Sequence, residues 1–132
     1  MQPFAQGKNI TLKVEQTSSK ITLNIDLKLV EQALINLVTN SICALQDIEH
    51  GAIEIAYRLE TNKLYLEVSD NGKGVTPELL EKIFVPFFTT RKNGSGIGLT
   101  ITRNIMKMHH GSLEVTSLPM EKTTFSLVFK YN

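Results

Sequence analysis

The sequence predicts an α+β fold, a two-layer α/β sandwich in which about three helices cover one face of a mixed sheet. Short segments of alternating apolar and polar residues recur along the chain, as expected of strands with one buried face. Between them lie segments with helical periodicity and residues that favour helix starts. No repeat, low-complexity stretch or linker interrupts the sequence, so we expect residues 1–132 to form one domain.

The first predicted elements are two strands and a long helix. Residues 10–15 and 21–25 alternate apolar and polar side chains and are separated by a polar turn, which predicts two half-buried strands. Asp26 is a suitable N-cap for a helix over residues 27–45. Because this segment is apolar around much of its circumference, we expect the helix to be mostly buried.

A hairpin and a short helix follow. Residues 52–60 and 63–69 alternate again and flank a two-residue turn, which predicts an antiparallel pair of strands. Thr76 can cap a short helix that begins with Pro77, a residue that has no N–H to leave unsatisfied in the first helical turn.

The last third of the chain is predicted to contain a loop, a helix and two strands. Residues 89–95 are polar and contain glycine, which is typical of a mobile loop. Residues 97–109 are expected to form a helix that stops at Gly111. Residues 112–117 and 123–130 alternate and are predicted to be the closing strands of the sheet.

Composition excludes several classes of protein. With 42% hydrophobic and 20% charged residues, the chain can form a single ordinary core. A formal net charge of +1 gives no electrostatic basis for binding nucleic acid or an anionic membrane. No apolar run approaches the ~20 residues of a membrane span. The single cysteine, Cys43, excludes an internal disulfide and is consistent with a reducing compartment.

Asn36 and Asn40 interrupt the long apolar helix. Their spacing of four residues places both amides on one helix face. Either residue could form only local hydrogen bonds, but burying an unpaired amide costs about 1–3 kcal/mol, which a ligand or metal on that face would offset. An amide oxygen is a suitable ligand for Mg²⁺, which completes its coordination shell with water and phosphate oxygens.

Asp70 ends a predicted strand and is followed by Gly72 and Gly74. A carboxylate in this position can accept a hydrogen bond from the exocyclic amine that distinguishes adenine from guanine. Glycine permits positive φ and removes side chains that would obstruct a planar base. The alternative is an ordinary Asp-Asn-Gly turn, which is common after strands.

A second glycine-rich turn immediately precedes the third predicted helix, with the sequence Gly94-Ser95-Gly96-Ile97-Gly98-Leu99. Backbone N–H groups at such a turn and the positive end of the helix dipole favour an anion. The turn is neither a Walker loop nor a Rossmann fingerprint, because no Gly-Lys-Ser/Thr follows it and a polar loop and helix precede it. A flexible hinge is the alternative.

The segment before this turn carries aromatic and basic residues. Phe84, Phe87 and Phe88 are expected to pack and so to place the loop that follows. Arg91 and Lys92 could reach phosphate oxygens or belong to a solvated charged loop.

In this order, the four patterns resemble the ATP-binding domain shared by sensor histidine kinases, DNA gyrase, the heat-shock chaperone ATPases and the mismatch-repair ATPases. The resemblance covers essentially the whole chain, implies the Bergerat (GHKL) fold, and is strongest to the catalytic domain of two-component histidine kinases. Residues 31–41 are similar to the N box of these kinases, 70–74 to the G1 box, 83–90 to the F box and 94–99 to the G2 box. The F box and its short lid resemble the nitrogen-regulation type of sensor kinase.

The resemblance implies roles for the residues that match these motifs. Asn40 would ligate Mg²⁺, Asn36 would support the metal or the phosphates, and Asp70 would bind the adenine amine. Asn36, Asn40 and Arg91 would form the catalytic set. ATP would contact residues of the four boxes and of the last strand, namely Asn40, Ala44, Asp70, Gly72, Gly74, Val75, Ile83, Phe84, Thr90, Arg91, Lys92, Gly94, Ser95, Gly96, Ile97, Gly98, Leu99, Thr123 and Thr124.

Three positions depart from the pattern of the kinases. Ser41 stands where alanine is usual, and Ser112 where a second glycine is usual. Lys122 replaces a usual glycine and so changes the turn before Thr123 and Thr124, either of which would bridge the aspartate and adenine, directly or through water.

The resemblance also separates kinases from ATPases. Gyrase-like ATPases and sporulation anti-sigma serine kinases carry a glutamate four residues before the metal-binding asparagine, where it can act as general base. Asn36 holds that position here and cannot take a proton at neutral pH, which favours transfer of the γ-phosphoryl group to an acceptor on another domain. The alternatives are a hydrolytic ATPase module and a degenerate nucleotide-binding interaction domain.

The acceptor is expected on another domain because His50, His109 and His110 lie in a loop and at a helix end, outside a helical His-Glu/Asp context. The expected partners are therefore the dimerisation and phosphoacceptor domain of a homodimeric parent kinase, and a response regulator. We expect no contact of this domain with nucleic acid or membrane, and a cytoplasmic location whether or not the parent is membrane-anchored.

Overall fold

The computed structural model describes residues 11–14, 23–83, 85, 98–118 and 120–131. Its elements are, in chain order, β1 (Thr11–Val14), α1 (Leu27–Ala44), β2 (Ala52–Glu60), β3 (Lys63–Asp70), α2 (Pro77–Leu80), α3 (Gly98–Met108), β4 (Ser112–Leu118) and β5 (Lys122–Lys130). Within these residues the composition is α+β, as the sequence predicts.

The five strands form one mixed sheet in the order β1-β2-β3-β5-β4. β1 runs parallel to β2, and the other neighbouring strands are antiparallel. Alternate residues of the central strands face the core, including Ile53 and Ile55 in β2, Val68 in β3, and Phe125 and Leu127 in β5. The predicted mixed sheet is confirmed, and β2 and β3 form the predicted hairpin.

Helices α1 and α3 pack together on one face of this sheet. Asp26 caps α1 as predicted, and its Oδ1 accepts a hydrogen bond from the N–H of Leu29 at 3.2 Å. Ala33 and Leu37 on α1 are fully buried, and Ile105 on α3 joins the same core. Burying a side chain such as Leu37 contributes about 1.5–3 kcal/mol, so this contact holds the helices on the sheet.

The two later helices also form where the sequence predicts them. Thr76 caps α2 by accepting a hydrogen bond from the N–H of Leu79 at 3.4 Å, and a proline occupies the first helical position. The helix predicted over residues 97–109 spans Gly98–Met108. The loop predicted at residues 89–95 lies outside the described residues.

The strand predicted over residues 21–25 is wrong in its described part, because residues 23–26 are irregular. Leu23 packs against the core, whereas Ile25 is exposed, so the alternation reflects one anchoring contact and not a strand. The chain here also has to turn into α1 so that Asp26 can cap the helix.

His109 connects the end of α3 to the start of α1. The N–H of Asp26 donates to Nε2 of His109 at 3.0 Å, and Nδ1 lies 2.8 Å from the carbonyl oxygen of Ile105. Because a backbone N–H can only donate, Nε2 is the acceptor, and Nδ1 carries the proton that it donates to Ile105. The ring also meets Phe129 edge-on, with 6.2 Å between centroids.

We expect His109→Ala to lower the free energy of unfolding by about 1–2 kcal/mol, because it removes both hydrogen bonds and the aromatic contact. Urea denaturation at neutral pH measures this loss. His110→Asn is the control, because His110 is exposed and has a φ of 57°, which asparagine tolerates. Equal losses in the two variants would contradict the role given to His109.

Candidate functional site

The end of β3 places Asp70 in a buried position on the helix-covered side of the sheet. Asp70 is 4% exposed, and its Oδ1 accepts a hydrogen bond from the N–H of Gly72 at 2.9 Å. Burial raises the pKa of the Asp70 carboxyl, whereas the Gly72 N–H and the nearby Ser41 hydroxyl oppose that increase. A buried carboxylate of this kind is a strong acceptor for a donor group that enters the site.

The turn after Asp70 is docked against the C-terminal end of α1. A Cβ atom on Gly72 would lie 2.4 Å from the carbonyl oxygen of Ala44 and 2.8 Å from its carbonyl carbon. The same oxygen accepts a hydrogen bond from the N–H of Lys73 at 3.3 Å. Gly74 has a φ of 76°, which favours glycine. Glycine is therefore needed for a different reason at each position: the close approach of the Ala44 backbone at Gly72, and the positive φ at Gly74.

Two hydroxyl groups connect this turn to the last two strands. The N–H of Val75 donates to Oγ of Ser117 at 2.9 Å, and this oxygen lies 2.7 Å from Oγ1 of Thr123. Thr123 is 3% exposed and pairs directly with Asp70 across β3 and β5. The turn, both strands and the carboxylate thus meet at one end of the sheet.

Of the two candidate threonines, Thr123 shares a sheet face with Asp70 and Thr124 does not. Successive residues of a strand point to opposite faces. The Thr124 hydroxyl lies 2.8 Å from Oγ of Ser69, which is the residue before Asp70 and is also on the opposite face. Thr124 is therefore directed away from the Asp70 carboxylate.

Asn36 links α1 to the first turn of α3. Its Oδ1 accepts a hydrogen bond from Nε2 of Gln32 at 3.0 Å. Its Nδ2 donates to the carbonyl oxygen of Gly98 at 3.4 Å and to Oγ1 of Thr102 at 3.3 Å. The amide is thus hydrogen-bonded within the protein at both ends, and it holds the two helices in register.

Asn40 and Ser41 lie one turn further along α1, toward the Asp70 turn. Asn40 is half-buried, and its amide forms no hydrogen bond with another side chain in the described part of the chain. Ser41 is 1% exposed, and its hydroxyl lies near Asp70 in a geometry too loose for a well-formed hydrogen bond. A buried polar group without a partner costs about 1–3 kcal/mol, which a ligand or an ordered water would offset.

Some of the remaining candidate residues pack against the core, and others lie outside the described residues. Ile83 and Leu99 are partly buried and pack against the core. The Gly98 oxygen accepts hydrogen bonds from Asn36 and Thr102. The candidates that lie outside the described residues are Phe84, Thr90, Arg91, Lys92, Gly94, Ser95, Gly96 and Ile97.

Ser117 and Thr102 contact candidate site residues, and the sequence analysis did not identify either of them. Ser117 continues the inward-facing row of Leu113 and Val115, so it is a polar residue where the period-two pattern requires an apolar one. Thr102 is fully buried and lies three residues before Ile105 on the buried side of α3. In both cases the sequence signal that could have identified the residue was a polar side chain on an otherwise apolar, buried face.

The fold and the candidate site define an α+β domain in which helices cover a mixed sheet and an aspartate-glycine turn is docked beside an asparagine-bearing helix. Residues 25–132 match the family described as histidine kinase-, DNA gyrase B-, and HSP90-like ATPase. The chain belongs to this family.

Several relatives of the chain are sensor kinases. Sensor histidine kinase ZraS of Salmonella typhimurium is 33% identical over 124 residues, which are 93% of this chain and 26% of ZraS. Histidine-protein kinase AtoS of Escherichia coli is 35% identical over 111 residues, 83% of this chain and 18% of AtoS. Sensory histidine kinase/phosphatase NtrB of Vibrio alginolyticus is 34% identical, with 91% of this chain and 37% of NtrB covered. The chain thus spans well under half of these relatives.

Solved structures support the same assignment. The catalytic domain of histidine kinase ThkA has a TM-score of 0.83 and is 32% identical, with 98% of this chain and 85% of that structure covered. The predicted α+β sandwich and the predicted resemblance to histidine kinase catalytic domains are therefore confirmed. Among the described residues, the helices are too short or too polar to cross a bilayer.

Proposed function

We propose that this domain binds Mg·ATP and transfers the γ-phosphoryl group to a histidine on a separate dimerisation domain of a parent sensor kinase, in two-component signal transduction. The observation that carries the proposal is the buried Asp70 carboxylate near Ser41 of α1, the residue that follows Asn40 on that helix. The parent would be a homodimer located in the cytoplasm or anchored in the membrane, and it would pass the phosphoryl group to a response regulator.

The base side of the site fits adenine. One oxygen of Asp70 is held by the Gly72 N–H, so the carboxylate is oriented before a ligand arrives. It can then accept a hydrogen bond from an exocyclic amine, which adenine has at this edge and guanine lacks. The buried Ser41 hydroxyl, which has no well-formed hydrogen bond among the described residues, supports a polar ligand atom or an ordered water at the same place.

The phosphate side of the site fits a magnesium ion held by Asn40. Its amide is half-buried and lies on the same face of α1 as Asn36, but it lacks the hydrogen bonds that occupy the Asn36 amide. Bound magnesium neutralises charge on the phosphate oxygens during phosphoryl transfer. Asn40 would hold the ion through its amide oxygen, and Asn36 would hold α3 against α1.

The chemistry at Asn36 supports transfer over hydrolysis. An amide cannot accept a proton at neutral pH, and the Asn36 amide already donates to Gly98 and Thr102. The domain therefore has no general base at this position to activate water. A base contributed by the acceptor domain would complete the reaction.

The test is a phosphotransfer assay with labelled ATP and the dimerisation domain of the parent kinase. We expect label on that domain, stable in base and labile in acid, as for phosphohistidine. Steady phosphate release without the acceptor would instead indicate a hydrolytic ATPase. ATP binding with neither product would indicate a degenerate nucleotide-binding domain.

Replacement of Asn40 tests the metal site. We expect Asn40→Ala to remove the increase in ADP affinity that Mg²⁺ produces, because the ion loses its protein ligand, while metal-free ADP binding changes less than about threefold. Titration calorimetry with and without Mg²⁺ measures both quantities. Asn104→Ala is the control, because Asn104 is exposed on α3. A full Mg²⁺ effect in Asn40→Ala would refute the assignment.

A further inference from the structure

A row of three paired residues crosses the sheet beside the candidate base site. Ser117 in β4 pairs with Thr123 in β5, and Thr123 pairs with Asp70 in β3. Directly opposed residues of antiparallel strands have Cβ atoms about 4.5–5.5 Å apart, so each side chain is within reach of the next. The turn that follows Asp70 contacts this row through Val75, whose N–H donates a hydrogen bond to Oγ of Ser117 at 2.9 Å.

The direction of the first of these hydrogen bonds is fixed by its donor. The Val75 N–H can only donate, so Oγ of Ser117 accepts from it. The Ser117 proton is then available to Oγ1 of Thr123, which lies 2.7 Å away. When Ser117 donates in this way, the Thr123 proton points to a different acceptor. Thr123 is buried, so that acceptor has to lie within the site.

Two acceptors are available to the Thr123 proton when a base is bound. One is the Asp70 carboxylate, its neighbour in the row. The other is a ring nitrogen next to the exocyclic amine that Asp70 would bind. Adenine has an unprotonated nitrogen there, whereas guanine has an N–H. A threonine held as a donor therefore adds to adenine selectivity.

Building on the proposed function, we propose that Ser117 is a positioning residue for the adenine base. It orients the Thr123 hydroxyl as a donor toward the ring nitrogen, directly or through one water, and it fixes the Val75 main chain of the adjoining turn. Ser117 would act through these two groups and would not contact the nucleotide.

The test compares ADP with 1-deaza-ADP, which lacks that ring nitrogen, by titration calorimetry. We expect the wild type to prefer ADP about tenfold, which is the contribution of one hydrogen bond in a buried site. Ser117→Ala should reduce this preference to less than about threefold. Ser112→Ala, at an exposed position on β4, should leave it unchanged. A thermal melt of each variant checks that it is folded.

A double-mutant cycle with Thr123→Val separates positioning from a general structural role. If Ser117 acts through Thr123, the double variant shows the same preference as Thr123→Val alone. If Ser117 is merely structural, Ser117→Ala weakens both nucleotides equally, and the ADP preference stays at the wild-type value, which overturns the inference. If the wild type binds neither nucleotide, the proposed function fails and this inference falls with it.

Discussion

Asp70→Asn is expected to weaken ADP binding about 100-fold or more, without destabilising the nucleotide-free domain. The Asn side-chain oxygen can still accept the hydrogen bond from Gly72, which keeps the turn in place. The side-chain NH₂ then faces the exocyclic amine of the base, so two donors oppose each other where the wild type has a charged acceptor. The loss of affinity should be much smaller for a ligand that presents an acceptor at this edge.

The difference in stability between the wild type and this variant should depend on pH in a defined direction. Burial raises the pKa of the Asp70 carboxyl in the folded protein above its value of 3.8 in the unfolded chain. The stability linked to this group is therefore fully present below pH 3.8 and is lost as the pH rises through the pKa of the folded state. At neutral pH the wild type therefore carries the cost of a buried charge that Asp70→Asn lacks. We expect the variant to melt at the same temperature as the wild type or higher at pH 7.5, and the difference to shrink toward pH 4.

Calorimetry and thermal melts at several pH values measure the two effects of Asp70→Asn. Asp47→Asn is a matched control, because Asp47 is exposed and has a φ of 66°, which asparagine adopts readily. Unchanged ADP affinity in Asp70→Asn would refute the base-binding role. A large loss of stability at neutral pH would show that the charge of Asp70 is needed for folding.

Gly72→Ala is expected to lower the free energy of unfolding by about 2–4 kcal/mol, which is a decrease of ~10 °C in the melting temperature. The added Cβ would meet the Ala44 carbonyl oxygen at 2.4 Å, and a backbone atom at a helix end cannot move aside as a flexible side chain can. Relief of this contact requires the turn or the end of α1 to shift. Either movement would displace the Gly72 N–H from Asp70.

Urea denaturation of the nucleotide-free domain measures the effect of Gly72→Ala. Gly98→Ala is the control for stability, because a Cβ there meets nothing within 4 Å. Gly98 begins α3, where alanine also has the higher helix propensity, so its stability should be unchanged or slightly higher. A loss below about 1 kcal/mol in Gly72→Ala would mean that the turn accommodates a side chain and that its close packing is not required.

The elements that the sequence predicted correctly are those whose signals come from residues close together in the chain. The Asp26 and Thr76 caps act on residues three positions away, and the turn between β2 and β3 connects strands that are adjacent in sequence. The strand predicted over residues 21–25 is wrong in its described part, residues 23–25, because an alternating pattern indicates that every second residue is buried but does not indicate a pairing strand. Leu23 satisfies the pattern with one contact to the core.

The arrangement of the site was less predictable because its contacts join distant segments. Asp70 was a candidate binding residue because of the glycine-containing turn that follows it. Its pairing with Thr123, however, depends on the register between β3 and β5. The contact between Asn36 and Thr102 spans 66 residues. The choice between Thr123 and Thr124 required the sheet face of each residue. The roles of these residues in binding and transfer remain predictions.

The hydrogen bond between Gly72 and Asp70 has a consequence for inhibitor chemistry. Because one carboxylate oxygen is already engaged by the protein, a competing fragment needs only one well-placed N–H donor at the other, together with a neighbouring ring acceptor. Aminopyrimidines and fused aminoazoles meet this requirement without any phosphate. Such scaffolds would bind at the proposed base site, and their potency would be insensitive to magnesium.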